Sequence, residues 1–476
     1  MPAPSESSSR RRVAVVGGGI AGLAAAHALA RADDDLDVVV LESMPRPGGK
    51  LRVSEVAGAP VDAGAESMLN ARPEVVDLAR EVGLGDELVY PATTSAAIWS
   101  RGAVRPMPPT VLGIPADLAA LVRSGIVSTR GVARARLESG LPRLRSGADL
   151  DAVSVAAVVS KRLGREVVDR LVEPLLGGVY AGHADRLSLR AAAPQIAALV
   201  DAGPSLLAAA RVSRRRAEST GGPVFAGIRG GVARLADAIV AASGVTVRTG
   251  APVRELHRVD DRWRLVIGST RDAEALDADA VILATPAAPT ARLLGDAAPQ
   301  VAYELRRIEY ASMAIVTLAF PRPEEPPVGS GFLVPPVEGK TIKAATYSGS
   351  KWSWVAEATD ALIVRASIGR HGEERVLQRD DCELVEAAAA DLRDAAGLHG
   401  PLIDARVTRW GGALPQYALG HRARVDRIRS AMTSVPRVEL CGAAYDGIGL
   451  AACVADGTRA ADRVLAALRS QRTMAP

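Results

Sequence analysis

The sequence is poor in cysteine and histidine, and each scarcity excludes a class of site. Its 476 residues include three cysteines (Cys382, Cys441 and Cys453), an odd number without metal-ligand spacing, so we expect neither a disulfide framework nor a zinc or iron–sulfur site. The six histidines form no HExxH motif, so we expect no catalytic metal. A chain with so few cysteines favours a reducing compartment, and we predict a cytoplasmic protein.

An excess of charge of one sign is also lacking. The 58 Lys and Arg residues against 54 Asp and Glu residues give a net charge of +4, too small to predict a nucleic-acid partner. Long uninterrupted apolar runs are absent as well, and residues 191–210 come nearest to one. Hydrophobic residues nevertheless make up 48% of the chain, enough for a large core, which excludes a disordered chain. Lysine is rare, at Lys50, Lys161, Lys340, Lys343 and Lys351.

A strand, a glycine turn and a helix open the chain. Residues 13–16 predict a buried strand, and Gly17, Gly19 and Gly22 then satisfy GxGxxG ahead of the helix-forming residues 23–30. A second predicted strand, residues 38–41, ends at Glu42. In this order the glycines admit a tight turn, a pyrophosphate and close helix packing, while the acid binds ribose. The pattern predicts a dinucleotide site; the alternative is a tight turn in an unliganded α/β domain.

Further glycine-rich segments favour FAD over NAD. Gly48 and Gly49 follow the second strand, and residues 62–67 form a D-x-G turn typical of flavoproteins of the amine-oxidase type. Near the other end of the chain, residues 438–442 predict a strand and residues 447–450 open a predicted helix over 451–468. We expect the N-terminus of that helix to face the flavin ring and stabilise its anionic reduced form.

Motifs spread over residues 12–468 resemble those of the porphyrinogen oxidases that use FAD and oxygen. They are EPLLGGVYAG at 173–182, DRLSL at 185–189, the segments 107–108, 113–115 and 409–410, LPQYALGH at 414–421 and CGAAYDGIG at 441–449. The resemblance implies a six-electron oxidation of coproporphyrinogen III to coproporphyrin III in haem biosynthesis, with three O2 reduced to three H2O2. Protoporphyrinogen IX is the alternative substrate.

The resemblance also implies non-covalent FAD and the residues that contact it. Carried over by position, these are Gly17, Gly18, Gly19, Ile20, Ala21, Gly22, Glu42, Ser43, Lys50, Gly64, Ala65, Glu66, Ser67, Val253, Trp410, Ile448, Gly449 and Leu450. No general base is predicted, because the reaction depends more on positioning than on a strong base. Tyr180 is predicted to line the substrate cavity and Arg72 to pair with a propionate; a buried core tyrosine and a surface arginine are the alternatives.

The predicted fold is α/β (α+β overall): a Rossmann-like FAD domain of amine-oxidase type, a β-sheet substrate domain and a helical insert. We assign the FAD domain to residues 12–90, 222–294 and 405–468. The substrate domain takes 91–106 and 295–404, with strands predicted at 314–320, 331–334 and 361–368. Residues 107–221 form a helical, membrane-facing or capping domain, and residues 1–11 and 469–476 are predicted to be flexible termini.

The helical insert also suggests partners. Its arginines favour peripheral contact with an anionic membrane, against a solvated helical face as the alternative: Arg123, Arg130, Arg134, Arg136, Arg143 and Arg145. Porphyrinogen and O2 are the expected substrates, and a ferrochelatase that collects the product is a candidate transient partner. Two other functions stay open, an amine oxidase or desaturase-type flavoenzyme and a non-catalytic flavin- or porphyrin-binding protein.

Overall fold

The computed structural model of the chain describes residues 10–33, 35–142 and 149–474. Arg143 and Arg145 lie outside them. The strands are β1 (Arg11–Val16), β2 (Leu36–Leu41), β3 (Val53–Val56), β4 (Ala59–Asp62), β5 (Met68–Leu69), β6 (Leu88–Val89), β7 (Ala96–Ser100), β8 (Ala103–Pro106), β9 (Thr110–Val111), β10 (Ile114–Pro115), β11 (Phe225–Ile228), β12 (Thr246–Arg248), β13 (Val253–Val259), β14 (Arg262–Gly268), β15 (Ala273–Ala278), β16 (Ala280–Leu283), β17 (Tyr310–Pro321), β18 (Gly331–Leu333), β19 (Ile342–Tyr347), β20 (Ala361–Ile368), β21 (Asp404–Pro415) and β22 (Val438–Leu440).

The α-helices are α1 (Ile20–Ala32), α2 (Pro73–Ala79), α3 (Leu118–Ser124), α4 (Thr129–Arg136), α5 (Val155–Leu163), α6 (Arg165–Val167), α7 (Glu173–Tyr180), α8 (Leu189–Ala192), α9 (Pro194–Ala202), α10 (Leu206–Thr220), α11 (Arg234–Ser243), α12 (Ala287–Leu293), α13 (Pro299–Arg306), α14 (Ser348–Lys351), α15 (Ser353–Ala358), α16 (Asp381–Ala396), α17 (His421–Met432) and α18 (Leu450–Met474). Short π- or 3-10-helical turns occupy Arg80–Leu84, Gly85–Glu87, Leu137–Gly140, Val168–Val172, Pro336–Glu338 and Glu374–Gln378.

A five-stranded parallel sheet, in the order β12-β2-β1-β16-β22, carries the predicted Rossmann-like motif. Successive residues of β1 face opposite layers. Val13 and Val15 pack in the core cluster that includes α1, α11 and α18, whereas Ala14 and Val16 pack in the cluster that includes α12, α13 and α17. Because both faces are covered, the strand reads as an unbroken apolar run. The strands predicted at 13–16 and 38–41 are confirmed as parts of β1 and β2.

A second, seven-stranded sheet has the order β21-β17-β20-β19-β18-β7-β8. The predicted strands at 314–320, 331–334 and 361–368 correspond to β17, β18 and β20, and α16 contributes to the core on one face. The strand β21 also belongs here, since it pairs antiparallel with β17, with Val407 opposite Val316. Residues 405–415 were predicted to belong to the FAD domain, whereas their pairing with β17 makes β21 the edge strand of this sheet. The domain boundaries stay a prediction.

The part of the chain between β8 and β11 is helical apart from the short pair β9 and β10, and α3 to α10 build their own core. Among the described residues, no single helix is both long and apolar enough to cross a bilayer; one pair bent by 112°, Pro194–Ala202 and Leu206–Ser219, meets the length and composition test only when taken together. The final helix α18 continues to Met474, beyond the predicted end of the FAD domain at residue 468.

Candidate functional site

A cavity of 610 Å³ lies where the two large sheets face each other. The loops that follow β1, β2, β16 and β22 all reach it, as expected for a ligand at the carboxyl ends of parallel strands. Its lining is Gly17, Gly19, Ile20, Ala21, Glu42, Ser43, Gly48, Gly49, Lys50, Leu51, Gly64, Ala65, Glu66, Gly178, Val179, Ala284, Thr285, Pro286, Met313, Ile315, Leu333, Lys343, Ala344, Thr346, Arg365, Ser367, Trp410, Ala413, Leu414, Gly442, Ala443, Ile448, Leu450 and Cys453.

The first glycine turn is shaped by two close approaches and one open space. Gly17 has φ +106°, and a Cβ there would lie 2.9 Å from the carbonyl oxygen of Ala284. A Cβ at Gly22 would lie 2.0 Å from the carbonyl oxygen of Gly17, so the helix packs directly on the turn. A Cβ at Gly19 would meet no atom within 4 Å. Because Gly19 lines the cavity, its missing side chain leaves room for a ligand.

The N-terminus of α1 opens onto this space. Its first residues Ile20 and Ala21 line the cavity, and the N–H of Leu23 donates to the carbonyl oxygen of Gly19 at 2.9 Å. The N–H groups that precede this bond have no partner within the helix. Together with the positive end of the helix dipole, they form an anion site suited to a pyrophosphate.

Glu42 is hydrogen-bonded to the glycine turn. Its buried carboxylate accepts hydrogen bonds from the backbone N–H groups of Gly18, at 2.7 Å, and Met44, at 2.8 Å. The Ser43 hydroxyl donates to the same carboxylate at 3.2 Å. These bonds hold the acid at the carboxyl end of β2, where it lines the cavity within reach of ribose hydroxyls.

Two further loops pack against the first. A Cβ at Gly49 would lie 3.2 Å from the Cα of Gly19, and a Cβ at Gly64 would lie 2.0 Å from the carbonyl oxygen of Lys50. The contact at Gly64 leaves no room for a side chain, and at Gly49 the tight contact combines with φ +58°, which favours glycine. The side chain of Lys50 lines the cavity, and enclosure by the protein lowers its pKa, an effect partly offset by Cys453.

Glu66 is the centre of a buried ion-pair cluster that ties the loop 64–66 to the seven-stranded sheet. Its carboxylate pairs with Lys351 and Arg365, and the Arg365 guanidinium also donates to the carbonyl oxygen of Gly64 at 2.8 Å. Burial raises the pKa of Glu66, but the charges of Arg365 and Lys351 outweigh burial and lower that pKa to about 2. The carboxylate is therefore ionised at neutral pH.

The segment before α18 completes the cavity. Ala443, Ile448 and Leu450 line it, so the N-terminus of α18 opens onto the cavity, and its approach to the flavin ring stays a prediction. The Tyr417 hydroxyl donates to the carbonyl oxygen of Ala443 and accepts from the N–H of Gly447, each at 2.7 Å. The imidazole of His421 stacks on the Tyr417 ring with centroids 3.9 Å apart. This stack fixes the loop that carries the C-terminal side of the site.

The cavity brings together most of the residues predicted to contact the cofactor. Lining residues are Gly17, Gly19, Ile20, Ala21, Glu42, Ser43, Lys50, Gly64, Ala65, Glu66, Trp410, Ile448 and Leu450. The remaining five occupy supporting positions: Gly18 and Gly22 shape the turn, Ser67 and Gly449 adjoin lining residues, and Val253 is buried at the start of β13. Their individual contacts with FAD stay a prediction.

The two predicted substrate residues lie elsewhere. Tyr180 is 5% exposed and packs in the helical core beside Tyr417, with ring centroids 5.5 Å apart, while its neighbours Gly178 and Val179 line the cavity. The reason is that α7 ends at Tyr180 and directs this ring into the helices. Arg72 is on the surface, where its guanidinium pairs with Glu74 at 2.6 Å. These positions agree with a core tyrosine and a surface arginine, and the roles of both residues toward the substrate stay a prediction.

The seven-stranded sheet contributes lining residues that the sequence did not predict. Met313, Ile315 and Leu333 supply apolar surface, and Arg365 and Lys343 supply charge. Strands from distant parts of the chain bring these side chains together, so no local motif identifies them. The one available signal was a lysine inside the β-prone run 342–347 of a chain with only five lysines.

The donor set fits FAD. An open glycine position, a helix N-terminus and a buried carboxylate suit its pyrophosphate and ribose, and the N-terminus of α18 suits the flavin ring. The family model described as flavin containing amine oxidoreductase matches residues 20–465. Proteins named coproporphyrinogen III oxidase from Mycobacterium tuberculosis and Bacillus subtilis are 39% and 30% identical to this chain, covering 97% and 98% of it and 99% and 100% of their own lengths.

A solved structure agrees with this assignment. The crystal structure from Exiguobacterium sp. 255-15 that carries the provisional name protoporphyrinogen oxidase superposes with a TM-score of 0.85 at 30% identity, covering 95% of this chain and 98% of the other. This match and the family model place both large sheets and the helical part in one known architecture. The chain belongs to the family of flavin-containing amine oxidoreductases, and its cofactor is FAD.

Proposed function

We propose that this chain oxidises coproporphyrinogen III to coproporphyrin III in haem biosynthesis, with three O2 reduced to three H2O2. The observation that carries the proposal is the continuous cavity, in which the glycine turn and the N-termini of α1 and α18 share one space with the seven-stranded sheet. The names of the full-length relatives support the same substrate. A cofactor wall facing a partly apolar, partly cationic wall suits a large carboxylate-bearing tetrapyrrole.

Different residues of the site would hold the cofactor and the substrate. When bound, FAD supplies the acceptor for a hydride from a carbon bridge of the tetrapyrrole. The N-terminus of α1 and Glu42 would hold the pyrophosphate and the ribose. Apolar side chains of the seven-stranded sheet, Met313, Ile315 and Leu333, would exclude water and orient the macrocycle beside the flavin. No general base is proposed, since orientation carries most of the catalysis.

A side-by-side aerobic fluorescence assay of the purified holoenzyme with coproporphyrinogen III and protoporphyrinogen IX tests the proposal. We expect faster, FAD-dependent formation of coproporphyrin. A preference for protoporphyrinogen IX, the candidate that the name of the Exiguobacterium structure favours, would move the enzyme to the other substrate. Oxidation of neither substrate by flavin-loaded protein would refute both and favour a binding protein or an amine oxidase.

Compartment and partners belong to the same proposal. We place the protein in the cytoplasm, because its three cysteines are all free thiols, which suits a reducing compartment. Peripheral contact with anionic lipid would use the exposed Arg123, Arg130 and Arg136 of the helical part. Arg134 contributes less to such a surface, because its guanidinium donates to the carbonyl oxygens of Lys161 and Arg162. A ferrochelatase is the proposed transient partner that takes the product.

A further inference from the structure

A lysine side chain is buried in the cavity wall formed by the seven-stranded sheet. Lys343 is 2% exposed, lies in β19 and lines the cavity. Two other lysines of the chain, Lys340 and Lys351, pair with carboxylates. Within residues 10–33, 35–142 and 149–474, the amine of Lys343 makes neither a hydrogen bond nor an ion pair. The cationic amine therefore lacks a counter-charge from the protein. Burying an unpaired cation is costly unless a ligand pairs with it.

An irregularity in β19 places this amine in the cavity. Ala344 pairs with Ser367 of β20, but the next pair is Ile342 with Ile368, so Lys343 is an extra, unpaired residue. Ala344 lines the cavity, whereas Ile342 packs in the core on the opposite face of the sheet. Without the bulge, strict alternation would direct Lys343 into that apolar core. The bulge instead puts it on the cavity face beside Ala344, the use that bulges near binding sites commonly serve.

The surroundings of Lys343 are positively charged. Burial and the nearby guanidinium of Arg370 lower the pKa of Lys343 to about 7. Arg370 is itself buried, donates to the carbonyl oxygen of Val334 at 3.1 Å and lies 3.8 Å from the Glu373 carboxylate. The other cation on this wall, Arg365, already pairs with Glu66. A carboxylate entering beside Lys343 would therefore supply the missing counter-charge.

We propose that Lys343 binds a propionate carboxylate of the porphyrinogen and so favours the substrate with more propionates. The inference rests on the proposed function, because it takes the ligand to be a tetrapyrrole. The proposed pyrophosphate site is the N-terminus of α1, which belongs to the parallel sheet's part of the lining and not to the seven-stranded sheet, so we take the substrate as the source of the anion. Coproporphyrinogen III carries four propionates and protoporphyrinogen IX two. An added cation in the substrate wall therefore strengthens binding of coproporphyrinogen III more than binding of protoporphyrinogen IX.

The test compares charged and uncharged side chains at position 343, and charged and esterified carboxylates on the porphyrin. Flavin-loaded wild type, Lys343→Met, Lys343→Gln and Lys343→Arg are titrated with coproporphyrin III and with its tetramethyl ester, following porphyrin fluorescence. Lys161→Met, which removes an exposed lysine of α5, is the matched control. We expect the Met and Gln variants to raise the Kd for coproporphyrin III about tenfold or more and to leave the Kd for the ester unchanged. Lys343→Arg and Lys161→Met should stay within about threefold of wild type.

Kinetics give a second readout. In the Met and Gln variants the KM for coproporphyrinogen III should rise more than kcat falls, and the KM for protoporphyrinogen IX should rise less. Flavin content should match wild type and Tm should not fall, because the substitution removes no internal hydrogen bond and takes away an unpaired buried cation. The proposal would be overturned if kcat collapsed in all three variants, Lys343→Arg included, while the Kd for coproporphyrin III stayed unchanged. That result would make Lys343 a proton-transfer group.

Two other results would overturn it. Parallel weakening of acid and ester would mean that Lys343 acts through packing, and a wild type without preference for the acid would mean that no carboxylate site exists. The proposed function is judged separately: a wild type that prefers the acid but oxidises neither porphyrinogen refutes the activity while the acid–ester difference still decides the role of Lys343.

Discussion

The two walls of the cavity recognise charge in different ways. The wall at the parallel sheet uses backbone groups: glycines without side chains, the N–H groups at the start of α1, and one carboxylate, Glu42, held by backbone N–H donors. The wall at the seven-stranded sheet uses side chains, with Arg365 paired to Glu66 and Lys343 left unpaired. A cofactor held by its pyrophosphate and ribose suits fixed backbone donors, whereas substrate choice suits side chains that single substitutions alter.

The largest expected effect breaks the cofactor wall. Gly19→Val places a side chain in the space that the turn leaves open, so we expect the variant to fold but to lose FAD. The ratio of absorbance at the flavin band to protein absorbance measures retention. Gly140→Val, at another glycine with no atom near its Cβ position but outside the cavity lining, is the control and should keep its flavin. Full flavin in Gly19→Val would show that the pyrophosphate lies elsewhere.

The connection between the walls is tested at Glu66. Glu66→Gln leaves Lys351 and Arg365 buried without their carboxylate, which should cost about 3 kcal/mol or more of the free energy of unfolding. Urea unfolding at saturating FAD measures this. Asp201→Asn removes an exposed partner of Arg190 and should change stability by less than about 0.5 kcal/mol. Equal stabilities of the two variants would mean that the cluster does not join the walls.

A smaller, pH-dependent effect concerns the stack behind the C-terminal loop. Burial lowers the pKa of His421 to about 4, against 6.5 for the free side chain. The folded state therefore favours neutral imidazole, and this contribution is present above pH 6.5 and lost as the pH falls through 4. Relative to His421→Phe, the free energy of unfolding of wild type should fall by at most about 3 kcal/mol between these two pH values.

Comparing the two proteins at each pH removes the effects of groups they share. Asp62 is one such group: burial raises its pKa to about 6, so it alone would stabilise the fold as the pH falls below 6. Urea unfolding at pH 7 and pH 4.5 provides the measurement. A constant difference between wild type and variant would show that His421 titrates normally in the folded protein.

The smallest expected effect concerns Arg72, which we expect not to take part in substrate binding. Arg72 lies on the surface and pairs with Glu74, so Arg72→Ala should change the KM for coproporphyrinogen III by less than about twofold. Steady-state kinetics beside Lys343→Met show the contrast. An increase in KM at Arg72→Ala comparable with that at Lys343→Met would return Arg72 to the substrate site.

Residue types and local order were enough to predict the cofactor half. The turn built by Gly17, Gly19 and Gly22 and the position of Glu42 follow from short-range geometry, which a strand–turn–helix sequence specifies. The strands of the substrate sheet were predicted from their β-prone runs, but not their order, so β21 was assigned to the FAD domain. The motif that contains Tyr180 did not predict the direction of its side chain, which at the end of α7 packs into the helical core.

By itself the sequence determined the strand–glycine–helix motif, the second glycine loop and the apolar runs of both sheets, because these depend on neighbours a few residues away. Only the tertiary structure decided which charges meet: Glu66, Lys351 and Arg365 are nearly 300 residues apart at the extremes yet form one cluster. It also decided the fate of Lys343, since a one-residue bulge against β20 turns its side chain from the apolar core to the cavity. Strand register is set by long-range pairing, and no local pattern of residues encodes it.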